Sequence, residues 1–277
     1  MKHIYVFIRS ILTAGFVLSV IWSFGQSQEQ AKLLKEAYKK QSTIKLYEFF
    51  DRWAEEVKSN EDDADNKYVA EAHKVFTAFY QPLDHEKIGG QKSPYYDSPY
   101  FILQSSLWLI SETEFILYKS AEIDSFCLTD TGHRYGNCYL NKEVQYLSGS
   151  ETIIAKDVEF RPSVYFEGKK VVYFTEEYEQ LLNLFIGYAC DDCKHRTKQP
   201  NKIFDKVKFL SKAAVIYSGH FRPWDYYTKP SVESIMFNKE LNRAVVSFQL
   251  IYCGGIAIME KQDGVWTIVD AQIAYLD

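Results

Sequence analysis

The spacing of apolar positions changes character along this chain. From Gln26 to Ser59, Leu33, Leu34, Ala37, Tyr38, Leu46, Phe49, Phe50, Trp53 and Val57 recur at intervals of three and four. That period predicts helix, interrupted at Ser42-Thr43 into a short piece and a longer one. Ser59 to Asn66 (SNEDDADN) reads as an acidic loop whose carboxylates favour the positive end of the next helix dipole. A second helical pattern runs from Lys67 to Tyr80 on Val69, Ala72, Val75, Phe76 and Phe79, and Pro82 ends it. The two patterns make a helical hairpin suited to covering a sheet. Gln81 to Pro99 is irregular, with Gly89-Gly90 and several prolines.

Beyond Tyr100 the period shortens to two. Strands are expected at Tyr100–Trp108, Glu114–Tyr118, Ile123–Thr129, Tyr135–Leu140, Glu143–Leu147, Thr152–Ala155, Val164–Phe166 and Val171–Phe174. A helix is expected at about Glu176–Tyr188, then a polar loop from Cys190 to Asn201, and a strand over Val207–Ser218. Val232–Phe237 is a strand and Asn238–Asn242 a turn. Ala244, Val246, Phe248, Leu250 and Tyr252 then share one face, and Ile256, Ile258 and Glu260 continue the alternation. Gly254-Gly255 therefore reads as a bulge or bend inside one long strand. Asp263-Gly264 is a two-residue hairpin signal that pairs Gln262 with Val265, Lys261 with Trp266 and Ile256 with Ala271. A strand shared across a kink coils its sheet strongly, and a coiled sheet encloses a hollow.

The stretch FNKELNRAVVSFQLIYCGGIAIMEKQDGVWTIVDAQIAYLD resembles the closing strands of cystatin-like rolls, as in nuclear-transport-factor-two-like and SnoaL-like domains. YEFFDRWAEEV and GHFRPWDYYTKPSVESIMFN are similar to segments of exported bacterial proteins of unknown function that end in the same way. The resemblance covers about the last sixty residues and one helix. It implies a helix laid across a concave sheet with a cone-shaped pocket at one end. Some such rolls carry a His–Asp pair there, and many bind a ligand or partner without catalysis.

The amino terminus changes the picture of where the chain works. Lys2 and Arg9 precede an apolar run, Ile11–Phe24, broken only by Thr13, Ser19 and Ser23, and Ser23-Phe24-Gly25 suits cleavage after Gly25. The run is shorter than the roughly 20 residues a spanning helix needs. Residues 1–25 thus read as a signal peptide and the mature chain as exported, periplasmic or extracellular, and not integral to a membrane. Removing Lys2 and Arg9 takes the formal charge from −5 to −7. That balance argues against nucleic acid, which needs a basic face. The 21 Tyr, 19 Phe and 5 Trp fit a sheet-rich core.

Chemistry is sparse. GxSxG, HExxH, phosphate-loop and dinucleotide patterns are all missing from the sequence. His220 with Asp225 is a candidate pair for general acid–base work, the carboxylate orienting the imidazole; the alternative is a loop turned by Pro223 with Trp224, Tyr226 and Tyr227 packed on the sheet. Trp224, Tyr226, Tyr227 and Tyr252 are the aromatics suited to lining a ligand. Cys190 and Cys193 (CDDCKH) read as a local disulfide; a thioredoxin-like redox pair would need the first Cys at a helix start, whereas this one follows a helix, and a zinc site with His195 would need a fourth ligand. A Gly132-His133 turn sets Cys127 opposite Cys138, as a bridge or as two packed thiols.

The expectation is an α+β protein. Residues 1–25 are the signal peptide, 26–88 a helical hairpin, and 89–277 a mostly antiparallel curled sheet ending in a cystatin-like roll at about 203–277. It binds a small molecule or protein in the roll's hollow without catalysis and without a cofactor. The alternatives are a small hydrolase or isomerase using His220 and Asp225, or a structural envelope component.

Overall fold

A computed structural model describes residues 28–61, 66–90, 92–113, 154–187, 200–217, 224–251 and 253–276. In chain order they form α1 (28–39), α2 (Thr43–Glu56), α3 (Lys67–Phe79), a 3₁₀ turn (His85–Ile88), β1 (Tyr100–Gln104), β2 (Ser106–Thr113), β3 (Ile154–Glu159) and β4 (Lys170–Phe174). α4 (Glu176–Ile186), α5 (Pro200–Leu210), β5 (Ser231–Asn238), β6 (Arg243–Gln249), β7 (Cys253–Gln262) and β8 (Val265–Leu276) follow. The expected signal segment and the strands expected at 114–118, 123–129, 135–140 and 143–147 lie outside the described residues. Among the described residues no helix is long and apolar enough to cross a membrane.

The chain divides into two compact units, each built from two separated stretches. The first comprises residues up to Trp53 together with Thr175–Ala213. Aromatic packing holds it. Trp53 stacks flat on Tyr178 at 4.2 Å, and Tyr38 of α1 meets Phe185 of α4 and Phe209 of α5 edge-on at 5.7 and 5.5 Å. Glu176, Glu177 and Glu179 sit in the first turn of α4, where the helix dipole favours them. Gly187 ends that helix in the left-handed conformation, φ 87°.

α5 corrects an expectation, because Val207–Ser218 was read as strand. Val207, Phe209 and Leu210 are buried and Lys208 between them is exposed, so a short window mimics alternation. The overlooked sign is Pro200, whose fixed φ suits the first helical position.

The second unit holds Ala54–Phe174 and Ala214–Asp277. β1 and β4 pair in parallel, and a six-stranded sheet has the order β3-β2-β5-β6-β7-β8. β2 runs parallel to β5 while the other pairs are antiparallel, so the sheet is mixed rather than wholly antiparallel. The stretch expected as one strand from Tyr100 to Trp108 splits at Ser105. That residue accepts from Phe160 N and donates its hydroxyl to Phe174 O, at 2.9 and 2.8 Å. The split sends β1 to β4 and β2 to the larger sheet.

α3 lies on the inner face of that sheet. Tyr68, Ala72, Val75, Phe76 and Phe79 join Leu107, Leu109, Ile235, Phe237, Val246, Phe248, Ala257, Met259 and Trp266 in one core. The Asn66 side chain caps α3 by accepting from Tyr68 N at 2.8 Å. One turn on, the buried Glu71 carboxylate accepts from Lys74, Lys261 and Trp266 Nε1, each at 2.8 Å, tying α3 to the β7–β8 hairpin. Burial pushes that carboxyl up, but the three donors outweigh it and hold it below its ordinary value.

The register of β6 and β7 overturns the single long strand. The chain reverses over Leu250–Cys253, closed by Leu250 N donating to Cys253 O at 2.7 Å, and β6 pairs with β7 from Gln249↔Gly254 to Arg243↔Glu260. A hairpin whose partners sum to an odd number flips parity. Even positions face the core on β6 (Ala244, Val246, Phe248), but odd ones do on β7 (Ala257, Met259). The Asp263-Gly264 hairpin is as expected, with Gln262↔Val265 and Lys261↔Trp266. A register shift between Ile258 and Met259 then moves Ile256 from Ala271 to Gln272.

Gly255 is fixed by close approach. A Cβ there would stand 2.1 Å from Gln272 O and 2.7 Å from the Phe248 ring. Gly255→Ala should therefore destabilise by about 2 kcal/mol, because a backbone carbonyl cannot step aside as a side chain can. Urea unfolding measures the loss. An unchanged midpoint would show that β8 is not held at this register.

Candidate functional site

The segment from Trp224 to Pro230 carries two buried polar residues of the second unit, Thr228 and Lys229. It begins at a bridge between Tyr217 and Asp225, whose backbones exchange hydrogen bonds at 2.8 and 3.0 Å. Asp225 Oδ1 accepts from Tyr227 N at 3.2 Å, a local turn that aims the other oxygen at Lys229. Lys229 is fully buried, its side chain 1% exposed. Its Nζ lies 2.7 Å from Asp225 Oδ2, 3.1 Å from Ser231 Oγ and 3.2 Å from Gln249 Oε1. The Tyr227 ring sits 5.9 Å from the same nitrogen.

Neighbouring elements grip the backbone of this segment. Thr228 N donates to Ile102 O at 2.8 Å, and its hydroxyl accepts from Ile102 N at 2.9 Å, so the segment extends the edge of β1. Tyr80, which caps the end of α3, donates to Thr228 O at 3.2 Å. Lys229 N donates to Tyr95 Oη at 3.0 Å, and His85 Nε2 lies 2.9 Å from Lys229 O. A carbonyl only accepts, so that imidazole carries its proton on Nε2. Burial raises the Tyr80 and Tyr95 hydroxyl pKa values well above the ordinary tyrosine value and lowers that of His85.

An ammonium has three protons, and Lys229 has three acceptors, one of them a carboxylate. Such a group is held charged and is not free to take a proton from a substrate. The chemistry of this cluster is positioning: it fixes where β5 begins relative to β1, α3 and β6.

Of the residues singled out by sequence, Asp225 sits in this cluster paired to Lys229. Trp224 and Tyr226 are buried, Tyr226 packing on Phe174 at 4.9 Å, and Tyr227 is half-buried against the same ring at 5.3 Å. His220, Tyr252, Cys127, Cys138, Cys190, Cys193 and His195 lie outside the described residues. Cys253 is half-buried at the start of β7. Sequence reasoning missed Lys229, Gln249, Tyr95 and His85. The one local signal was Lys229 four residues after Asp225 in a polar, aromatic stretch, a spacing usually read only on helices.

Among the described residues no three His, Cys, Asp or Glu side chains are grouped to hold a metal ion. The described residues do form an open groove of about 400 Å³ along α1, lined by Gln28, Ala31, Lys32, Lys35, Glu36 and Lys39. Comparison with protein-family models, curated proteins and solved structures found no match for this chain.

Proposed function

We propose that the mature chain works outside the cytoplasm as a non-catalytic binding protein, engaging a small molecule or a protein partner. The observation that carries this reading is the saturation of the Lys229–Asp225 pair. The carboxylate that a His220 mechanism would need is already bound to a buried ammonium and to Tyr227 N. The inner face of the sheet supports it too, because Phe76 and Phe79 of α3 occupy that face opposite Val246 and Phe248. Contact through outer surfaces therefore fits better than turnover of a substrate deep in a hollow. The cystatin-like roll remains our reading of β5–β8. Its support is α3 lying across the strands and three register shifts, at Val232/Ser234, Gly254/Gly255 and Ile258/Met259, since bulges increase local twist.

The test is native mass spectrometry of the protein purified from its own host, beside its Asp225→Asn variant. The expected result is a retained partner in both, with the variant melting at lower temperature. A hydrolytic or isomerising activity that disappears in Asp225→Asn while the melting temperature holds would overturn the reading.

A further inference from the structure

Fixing where β5 begins also fixes what stands on the outer face of the six-stranded sheet. Leu107, Leu109, Val158, Ile235 and Val246 face the core, so alternation turns Trp108, Asp157, Ser234 and Ser247 to the other side. Trp108 lies opposite Asp157 of β3 on one flank and opposite Ser234 of β5 on the other, and Ser234 lies opposite Ser247 of β6. β5 carries one extra residue between Val232 and Ser234. That bulged residue is Glu233, and its carboxylate accepts from Ser247 Oγ at 3.3 Å, which brings it to the outer face as well. The register therefore sets an indole between two carboxylates.

Trp108 is 49% exposed, and Asp157 and Glu233 are exposed too. One pair further along the same face Ile110 and Met236 are buried, so the exposure is confined to the indole and the polar positions around it. Among the described residues no ammonium or guanidinium pairs with Asp157 or Glu233. An indole attracts a cation through its π-face and the carboxylates attract it by charge.

We infer that this face docks a partner protein that presents arginine. Asp157 and Glu233 stand on strands either side of β2, about 10 Å apart by strand spacing, too far for one metal ion to join. A sheet face offers a surface rather than a cleft, and clefts are where small molecules bind. Tryptophan and arginine are the side chains that dominate contacts between protein surfaces. A guanidinium is planar and weakly hydrated, so it stacks on an indole and forks to a carboxylate at once; a lysine ammonium is strongly hydrated and has no plane to stack. The formal charge of −5 draws a basic partner and repels an acidic one. The proposal rests on the binding reading above and gives it a face and a partner chemistry.

The test titrates the full mature chain with labelled hexa-arginine and hexa-lysine peptides at about 0.15 M sodium chloride, where distant charges are screened. The native chain should bind hexa-arginine more tightly than hexa-lysine. Trp108→Ala should weaken hexa-arginine about fivefold to tenfold, and Asp157→Asn/Glu233→Gln about tenfold. Asp263→Asn/Glu86→Gln removes the same charge elsewhere on this unit and should change binding less than about twofold. Should Trp108→Ala fail to fold, the Asp157→Asn/Glu233→Gln variant, at exposed positions, carries the test. No hexa-arginine binding by the native chain overturns the proposal. So does equal or tighter binding of hexa-lysine or spermine, or an equal loss in Asp263→Asn/Glu86→Gln. Native mass spectrometry of Trp108→Ala separates this proposal from the wider reading: a partner retained there unchanged leaves the chain a binding protein and removes this face as its site.

Discussion

Lys229→Met should cost about 3–5 kcal/mol of stability, the loss expected when one member of a buried ion pair is removed. Methionine keeps most of the stem's volume, so the loss measures the charge rather than a cavity. It removes all three donors at once. Asp225 then faces a thioether from a site where its side chain is 18% exposed, and Gln249 Oε1 and Ser231 Oγ lose a donor. At this chain length the loss should lower the melting temperature by roughly 10 °C. The pair also predicts non-additivity. Asp225→Asn alone leaves the buried ammonium without its counter-charge and is costly, but Lys229→Met/Asp225→Asn should be milder than the sum of the two by about 1–3 kcal/mol. A single-variant loss under about 1 kcal/mol, or strict additivity, would mean that the ammonium reaches water and the cluster does not hold β5.

That prediction bears on what was legible in the sequence. The helices were plain wherever apolar spacing and breakers agreed: the Ser42-Thr43 interruption, the α3 pattern ending before Pro82, and α4 all fall close to where the periodicity put them. The β7–β8 hairpin was legible because Asp263-Gly264 leaves one short register, with Asp263 and Gly264 both at positive φ. Hidden features shared one physical cause, competition between local patterns of similar strength. Ala244 to Glu260 alternates as well for a continuous strand as for two strands joined by an even loop, and only pairing across Leu250–Cys253 decides between them. The parallel pairing of β2 with β5 joins residues more than a hundred positions apart and has no local signature at all. Lys229 was invisible for a related reason. Lysine is almost never fully buried unless paired, and its partners come from its own segment and from β6.

The same logic makes His73 a second place where burial dictates behaviour. Both ring nitrogens are buried, neither has a hydrogen-bond partner among the described residues, and the ring stacks on Phe160 at 4.5 Å. Burial pushes its pKa from 6.5 down to about 4. Above pH 6.5 the folded and unfolded chains both carry a neutral imidazole there, and this residue adds no pH dependence. As pH falls through 6.5 the unfolded chain takes up a proton that the folded chain refuses, so stability is lost progressively until about pH 4 and levels off below. The span corresponds to about 3 kcal/mol. His73→Phe keeps a ring against Phe160 and removes both the protonation and the unpaired nitrogens. It should stabilise by about 1–3 kcal/mol at pH 7.5. Its advantage over the native chain should widen by about 3 kcal/mol on going to pH 4. The comparison between the two chains cancels contributions from Glu71 and His85, which titrate in both. Urea midpoints measured across that range decide the matter: parallel curves would show that the imidazole finds a proton acceptor or water in the fold, and a destabilised variant at pH 7.5 would show that its nitrogens are satisfied.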